Sequence, residues 1–349
     1  MKLRKARGIA GLDIGSSSVK AVELRVGKNG YELSSLGLEL LGPDTPPENR
    51  SSGEHPVAAA IGRLFAEQGI AAPDVVSSVS GSAVIVKQIA APPMDDLALD
   101  KWVKEIAGQH VPFEPGDVDL SYQLLDAEEG PSGRPLLLVA AKKEVVRGQS
   151  DLIRQAGRNP VVMDVDAFAL ANCYEVNYAP APQNTVALVN VGDRFTNVVV
   201  LRGALPLFTR DISVGGSQFT EAIAREFGLD AAEAERVKRG ESQAAPVEPL
   251  SLLLQSFLEL AVVEIRRTLD FYRASGGAGV ERLLLSGGSS RVPHLAELLA
   301  DELGVPVEEN DPFRAVAIPA ERFDQSRVRE LAPQFNVSVG LALRSFDPA

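Results

Sequence analysis

One cysteine, three histidines and no apolar run long enough for a bilayer narrow what this chain can be. Cys173 has no mate, so no intramolecular disulfide can form; a reducing compartment is expected, with the thiol buried as a small hydrophobe. His55, His110 and His294 are scattered, which gives no zinc-type ligand set and marks them as structural or surface residues. Positive charge is scarce as well: 35 Lys and Arg face 47 Asp and Glu, a formal charge of −12. Gripping phosphodiester backbones takes clustered Lys and Arg, so nucleic acid is a poor candidate partner. The start, MKLRKARGIAGLDIG, has only a short apolar stretch before Asp13, too little for a signal segment or a span. The chain is expected to be soluble, with any membrane association made through a partner or a surface helix.

What is present suffices for large cores without staples. The 349 residues are 45% hydrophobic and 23% charged, which predicts two or more domains. Ile9 to Leu12, Val19 to Leu24 and Tyr31 to Leu41 read as strands divided by GSSS and GKNG turns, a meander that opens a first lobe. The Pro- and Ser-rich stretch from Gly42 to Pro56 reads as an exposed loop. An amphipathic helix over Val57 to Gln68 and a strand over Val75 to Val79 follow. From Ser80 to about Arg158 the texture changes. The strand SAVIVKQIAA leads to a helix from Leu97 to Ala107, which Gly108 is placed to end. Then come the strand VDLSYQLLDA, the hairpin loop EEGPSGRP, the strand LLLVAAK and a helix from Glu144 to Ala156, a series that predicts a compact α+β insert. In VVMDVDAFALANCYEV a strand end runs into a helix whose start is marked by Asp164 or Asp166.

The second half restarts the pattern. TVALVNVGDRFTNVVVLRGALPLFTRDI is again strand, glycine turn, strand, turn, strand. Pairing GIAGLDIGSSSVKAVEL with TVALVNVGDRFTNVVVL sets Asp13 and Gly15 opposite Asn190 and Gly192, and duplicated lobes are the natural inference. Leu250, Leu254, Phe257, Ala261, Ile265, Leu269 and Tyr272 fall at helical spacing between Pro249 and Arg273, a core helix of the second lobe. ERLLLSGGSSRVPHLAELLADELG reads as a buried strand, a glycine turn and a helix started by Pro293.

Four glycine turns carry the chemistry. GLDIGSSSVK puts a carboxylate at a strand end before a tight turn, whose backbone N–H groups can wrap nucleotide phosphates while Asp13 holds magnesium through water and Lys20 adds a charge. The matching turn at Asn190 and Gly192 carries an amide, which can hydrogen-bond a water or a phosphate but cannot act as a base. Gly215 and Gly216 precede a helix capped by Ser217 or Thr220, where phosphate can meet amide dipoles. Gly287 and Gly288 let a flat ring approach the backbone, with Arg291 placed to stack on a purine. Glu235 and Lys238 lie on one helical face, which is equally the spacing of a surface ion pair.

The order of these elements resembles the actin and FtsA superfamily. More narrowly, GLDIGSSSVKAVEL, AAKKEVV, VMDVDAFALAN, SVGGSQFTEAIA and EIRRTLDFYR are similar to the PilM family of type IV pilus assembly, over nearly the whole chain. The resemblance implies an α/β fold: an actin-like (ribonuclease H-like) two-lobed nucleotide-binding architecture with an FtsA-like α+β insert subdomain. It divides the chain into a first lobe over 1–79, to which 335–349 return, an insert over 80–160, and an interlobe helix with the second lobe over 161–334. It implies ATP and Mg2+ as cofactors. Asp13, Gly15, Ser16, Ser17 and Lys20 would form the first phosphate element, with Asp13 on the metal, and Asn190 with Gly192 the second. Gly215 and Gly216 would lie near the phosphates, Glu235 and Lys238 at ribose and adenine, and Gly287, Gly288 and Arg291 over the base. Gly340 would sit in a second connecting helix, opposite the helix from Asp166 to Tyr178.

As partner the resemblance implies the cytoplasmic N-terminus of the inner-membrane protein PilN, docked between insert and first lobe. Through it would come PilO and the assembly ATPases, with the chain peripheral to the cytoplasmic face of the bacterial inner membrane. Self-association is left open. Asn190 departs from the Asp common in superfamily ATPases, so weak or absent turnover is expected. Two other functions fit the same fold: a catalytic ATPase or sugar kinase, which Asn190 disfavours, and an FtsA-like division protein, which would carry a C-terminal amphipathic helix where this sequence has LALRSFDPA.

Overall fold

The computed structural model describes residues 8–28, 30–42, 55–125 and 133–346. Most of the Pro- and Ser-rich loop before the first helix and most of the EEGPSGRP hairpin loop lie outside them. Strands β1 (Ile9–Ile14), β2 (Ser18–Gly27) and β3 (Gly30–Leu40) form an antiparallel meander. Helix α1 (Pro56–Glu67) crosses to β4 (Asp74–Val79), which pairs parallel with β1. The chain then leaves for the insert, β5 (Val84–Ala91), α2 (Asp96–His110), β6 (Val118–Leu124) and β7 (Arg134–Lys142), a three-stranded sheet in the order β5-β7-β6. It returns through α3 (Lys143–Gln155) to β8 (Asn159–Val165), completing a first sheet ordered β3-β2-β1-β4-β8.

Helix α4 (Asp166–Tyr178) leads into a second sheet of the same design. Its strands β9 (Thr185–Val191), β10 (Thr196–Arg202), β11 (Leu205–Ile212), β12 (Arg282–Ser286) and β13 (Val307–Glu309) lie in the order β11-β10-β9-β12-β13. Between β11 and β12 run α5 (Gly216–Phe227), α6 (Ala231–Lys238) and the long α7 (Val247–Ala274); α8 (Leu295–Leu303) joins β12 to β13. Helices α9 (Gln325–Leu331) and α10 (Asn336–Leu343) bring the chain back to the first sheet.

Strand periodicity sorts the cores. On β9, β10 and β12, Ala187, Val189, Val198, Val200, Leu283 and Leu285 face α5 and α7, while Leu188, Val199 and Leu284 face α4 with Leu170 and Tyr174. Ala10, Leu12, Val19 and Ala21 pack against α1. The two sheets therefore enclose α4 and α10 as a shared middle layer. There the elements touch closely, since a Cβ on Gly340 would lie 1.8 Å from the Ala169 carbonyl oxygen of α4 and one on Gly11 of β1 would lie 2.1 Å from that of Ser338 on α10. Only glycine permits that approach. Arg344 adds an ion pair at 3.0 Å to the buried Asp164 at the end of β8.

Three local readings change. Helix α2 continues through Gly108 to His110, because Leu99, Val103, Ala107 and the following Val111 are buried on the insert sheet, and that packing outweighs the roughly 1 kcal/mol a helical glycine costs. Helix α3, read as the insert's closing element, buries Leu152 and Ile153 in the α1 core instead. Helix α8 starts at Leu295, after His294 adopts a left-handed φ of 66° that breaks continuity with Pro293.

Candidate nucleotide cleft

The two hairpin turns that end β1 and β9 have one backbone design. The Gly15 N–H donates to the Ser18 carbonyl at 3.0 Å, and the Gly192 N–H to that of Phe195 at 2.9 Å. In each, the residue before the turn pairs across the hairpin: Asp13 with Lys20, and Asn190 with Asn197. The first pair is an ion pair at 3.1 Å with both side chains largely buried. The second is neutral, the Asn190 amide donating to Asn197 Oδ1 at 2.9 Å. Ser16 is half-buried and Ser17 exposed at the tip of the first turn.

Near Asp13 stands Asp166, the first residue of α4. Its carboxylate accepts from Ser78 Oγ at 2.5 Å. Burial pushes its pKa up to about 6, and the charges of Asp13 and Asp211 push the same way against hydrogen bonds from Ser78 and Ser80. Both lobes thus act on one carboxyl group. The sequence shows Asp166 only as a helix start and Asp211 only as part of a strand. Their approach to one another and to Asp13 depends on pairings too distant along the chain for a local pattern to show.

The remaining predicted residues gather on the second lobe. Gly216 and Ser217 at the start of α5 donate their N–H groups to the carbonyls of Gly192 and Asp193, at 3.0 and 2.8 Å. Those amides brace the second turn rather than standing open to a phosphate, as the sequence had suggested. Lys238, nearly buried, bonds Thr220 Oγ1 at 2.9 Å, Glu235 Oε2 at 2.6 Å and the Gly216 carbonyl at 3.3 Å. Burial raises the Glu235 pKa, but Lys238, Thr220 and Arg239 outweigh it and leave the carboxyl below its ordinary value. The pair is therefore a built cluster against the α5 start rather than a loose surface contact.

Gly287 adopts φ +95°, and a Cβ there would lie 2.3 Å from the Val191 carbonyl oxygen, so the turn after β12 packs directly on the end of β9. Gly288 beside it is open. Arg291 is engaged elsewhere: it forks onto Glu309 at 2.9 and 3.0 Å and donates to the Glu330 carbonyl. A guanidinium held in that fork is not free to stack on a purine. Gly340 sits in α10 against Ala169 of α4. For magnesium, no group of three or more His, Cys, Asp or Glu side chains is placed to hold a metal among the described residues.

Comparison with known proteins decides the family. A family model described as type IV pilus assembly protein PilM matches residues 11–346. A solved PilM–PilN type IV pilus biogenesis complex is 34% identical, with a TM-score of 0.86, covering 97% of this chain and 99% of that one. The chain belongs to the PilM family. Other solved relatives of this PilM-family protein share the fold alone. The ethanolamine utilization protein EutJ from Carboxydothermus hydrogenoformans is 11% identical with a TM-score of 0.56, over 97% of this chain and 90% of that one. An archaeal actin homologue in complex with ADP is 14% identical with a TM-score of 0.50, over 97% and 99%. The actin-like architecture expected from the sequence is the one observed, and among the described residues no helix is long and apolar enough to cross a membrane.

Proposed function

We propose that this PilM-family protein is a scaffold of type IV pilus assembly on the cytoplasmic face of the inner membrane. It holds ATP with Mg2+ between its two lobes and docks the cytoplasmic N-terminal segment of PilN between its insert and first lobe, and nucleotide sets how far the lobes close. The observation that carries the nucleotide half is a pair of matched hairpin turns, one charged and one neutral, with Asp13 of the first lobe and Asp211 of the second both acting on Asp166. The partner half is supported by the 34% identity to the PilM of the solved complex with PilN. In this reading Asp13 holds the cation through water, Ser16 and Ser17 meet the phosphates, and Glu235 and Lys238 flank the ribose and adenine. Asn190, an amide, orients water or phosphate without taking a proton.

Asp166 favours a second reading, a slow ATPase. With its pKa raised to about 6 beside Asp13, it is the carboxyl group poised to accept a proton from an attacking water. One set of samples tests both. Calorimetry of the full chain with ATP and magnesium, with and without a PilN N-terminal peptide, is expected to show binding of each strengthened by the other, with little phosphate release. Absence of ATP binding overturns the nucleotide reading. Rapid phosphate release that ignores the peptide and is lost in Asp166→Asn moves the protein to the enzyme class.

A further inference from the structure

Four residues stand side by side in one row of the second sheet. Ser286 on β12, Asn190 on β9, Asn197 on β10 and Asp211 on β11 are cross-strand partners in turn. Their side chains hydrogen-bond in sequence. The Ser286 hydroxyl donates to Asn190 Oδ1 at 3.3 Å, Asn190 donates to Asn197 Oδ1 at 2.9 Å, and Asn197 donates to Asp211 Oδ1 at 2.8 Å. The other Asp211 oxygen accepts the backbone N–H of Gly81, at the root of the insert just before β5. Ser286 is fully buried and Asn197 5% exposed, so an unmade bond at either would be costly.

The direction of this row is forced. An ionised carboxylate only accepts, so Asn197 must present its NH2 to Asp211 and its carbonyl to Asn190. Asn190 must then donate, which an amide can do and a carboxylate cannot. An aspartate at 190 would set acceptor against acceptor. The equivalent row of the first lobe runs Asp13, Lys20, Leu38 and ends in an apolar side chain, so it carries no such path.

We propose that this row is a relay in which Asp211, as a positioning residue, fixes the Asn190 amide at the second turn and ties it to the root of the insert, so that occupancy of the cleft is transmitted to the insert. The transmission half rests on the reading under Proposed function; the positioning half does not. Three variants of the full chain test it: Asn190→Asp, Asp211→Asn, and both together. In the double variant the amide introduced at position 211 can donate to Asn197 Oδ1 while its carbonyl still accepts from Gly81. Asn197 then turns over and donates to the carboxylate introduced at position 190, so the row runs intact in reverse.

Asn190→Asp alone is expected to lower the melting temperature by about 3 °C or more, and adding Asp211→Asn to restore it to within about 1 °C of Asp211→Asn alone. The second readout is the ratio of PilN-peptide affinities with and without magnesium ATP. A wild-type ratio of roughly fivefold or more is expected to collapse toward unity in Asn190→Asp and to recover in the double variant. Additive losses of melting temperature, with no rescue, overturn the relay. Rescue of melting temperature with an unchanged affinity ratio in Asn190→Asp overturns the transmission. A wild-type chain that binds neither ligand overturns the functional reading and the transmission together, and the melting cycle still decides the positioning.

Discussion

At the end of β1 the cross-strand pair is Asp13 with Lys20; at the end of β9, in the same register and before the same turn, it is Asn190 with Asn197. The backbone hydrogen bond that closes each turn is equivalent. What differs is where the pair leads. Asp13 and Lys20 pair with one another and the path stops there. Asn190 and Asn197 pass their hydrogen bonds outward to Asp211 and Gly81. One design of hairpin therefore serves charge in one lobe and orientation in the other, and only side chains decide which.

The most drastic way to break the comparison is to push the lobes out of their common frame. Gly340→Ala would drive a methyl group into the Ala169 carbonyl where α10 crosses α4, and a loss of about 3 kcal/mol is expected in urea unfolding. Asp13→Asn makes the first turn chemically like the second. It leaves a nearly buried Lys20 facing an amide, so a loss of about 2 kcal/mol is expected, together with loss of the magnesium dependence of ATP binding measured by calorimetry.

Asp166→Asn sharpens the comparison by removing the group on which Asp13 of one lobe and Asp211 of the other both act. With its pKa raised to about 6, Asp166 binds a proton more readily folded than unfolded. Its contribution is fully present below the ordinary aspartate pKa and is lost as pH rises through about 6. Wild-type urea midpoints should fall across that window by an amount worth about 3 kcal/mol, and the variant should stay flatter.

Much of this was legible in the chain. The strands of both meanders, the repeat that sets Asp13 against Asn190, and the long helix through Ile265 all follow from local periodicity, which survives folding because each strand or helix buries one of its own faces. The extent of α2 past Gly108 was not legible, since tertiary packing overrode a local stop signal. Nor were the roles of Asp166, Asp211 and Arg291. Asp211 becomes part of the site only because β11 lies beside β10 and faces Gly81 across the boundary with the insert. Arg291 looked free because Glu309 and Glu330 are remote from it along the chain.

The return of α10 has a consequence for how the protein is made. Second-sheet strands β9 to β13 and the helices among them come from one continuous stretch, so the core they share with α5 and α7 can close as it leaves the ribosome. The first sheet is drawn from residues 9 to 165, yet Val22, Leu24 and Leu33 are covered by Phe335, Val339 and Leu343. During synthesis the lobe that starts first must therefore wait, with one apolar face uncovered, until the last helix emerges. That waiting state is where a chaperone would be needed and where aggregation would begin.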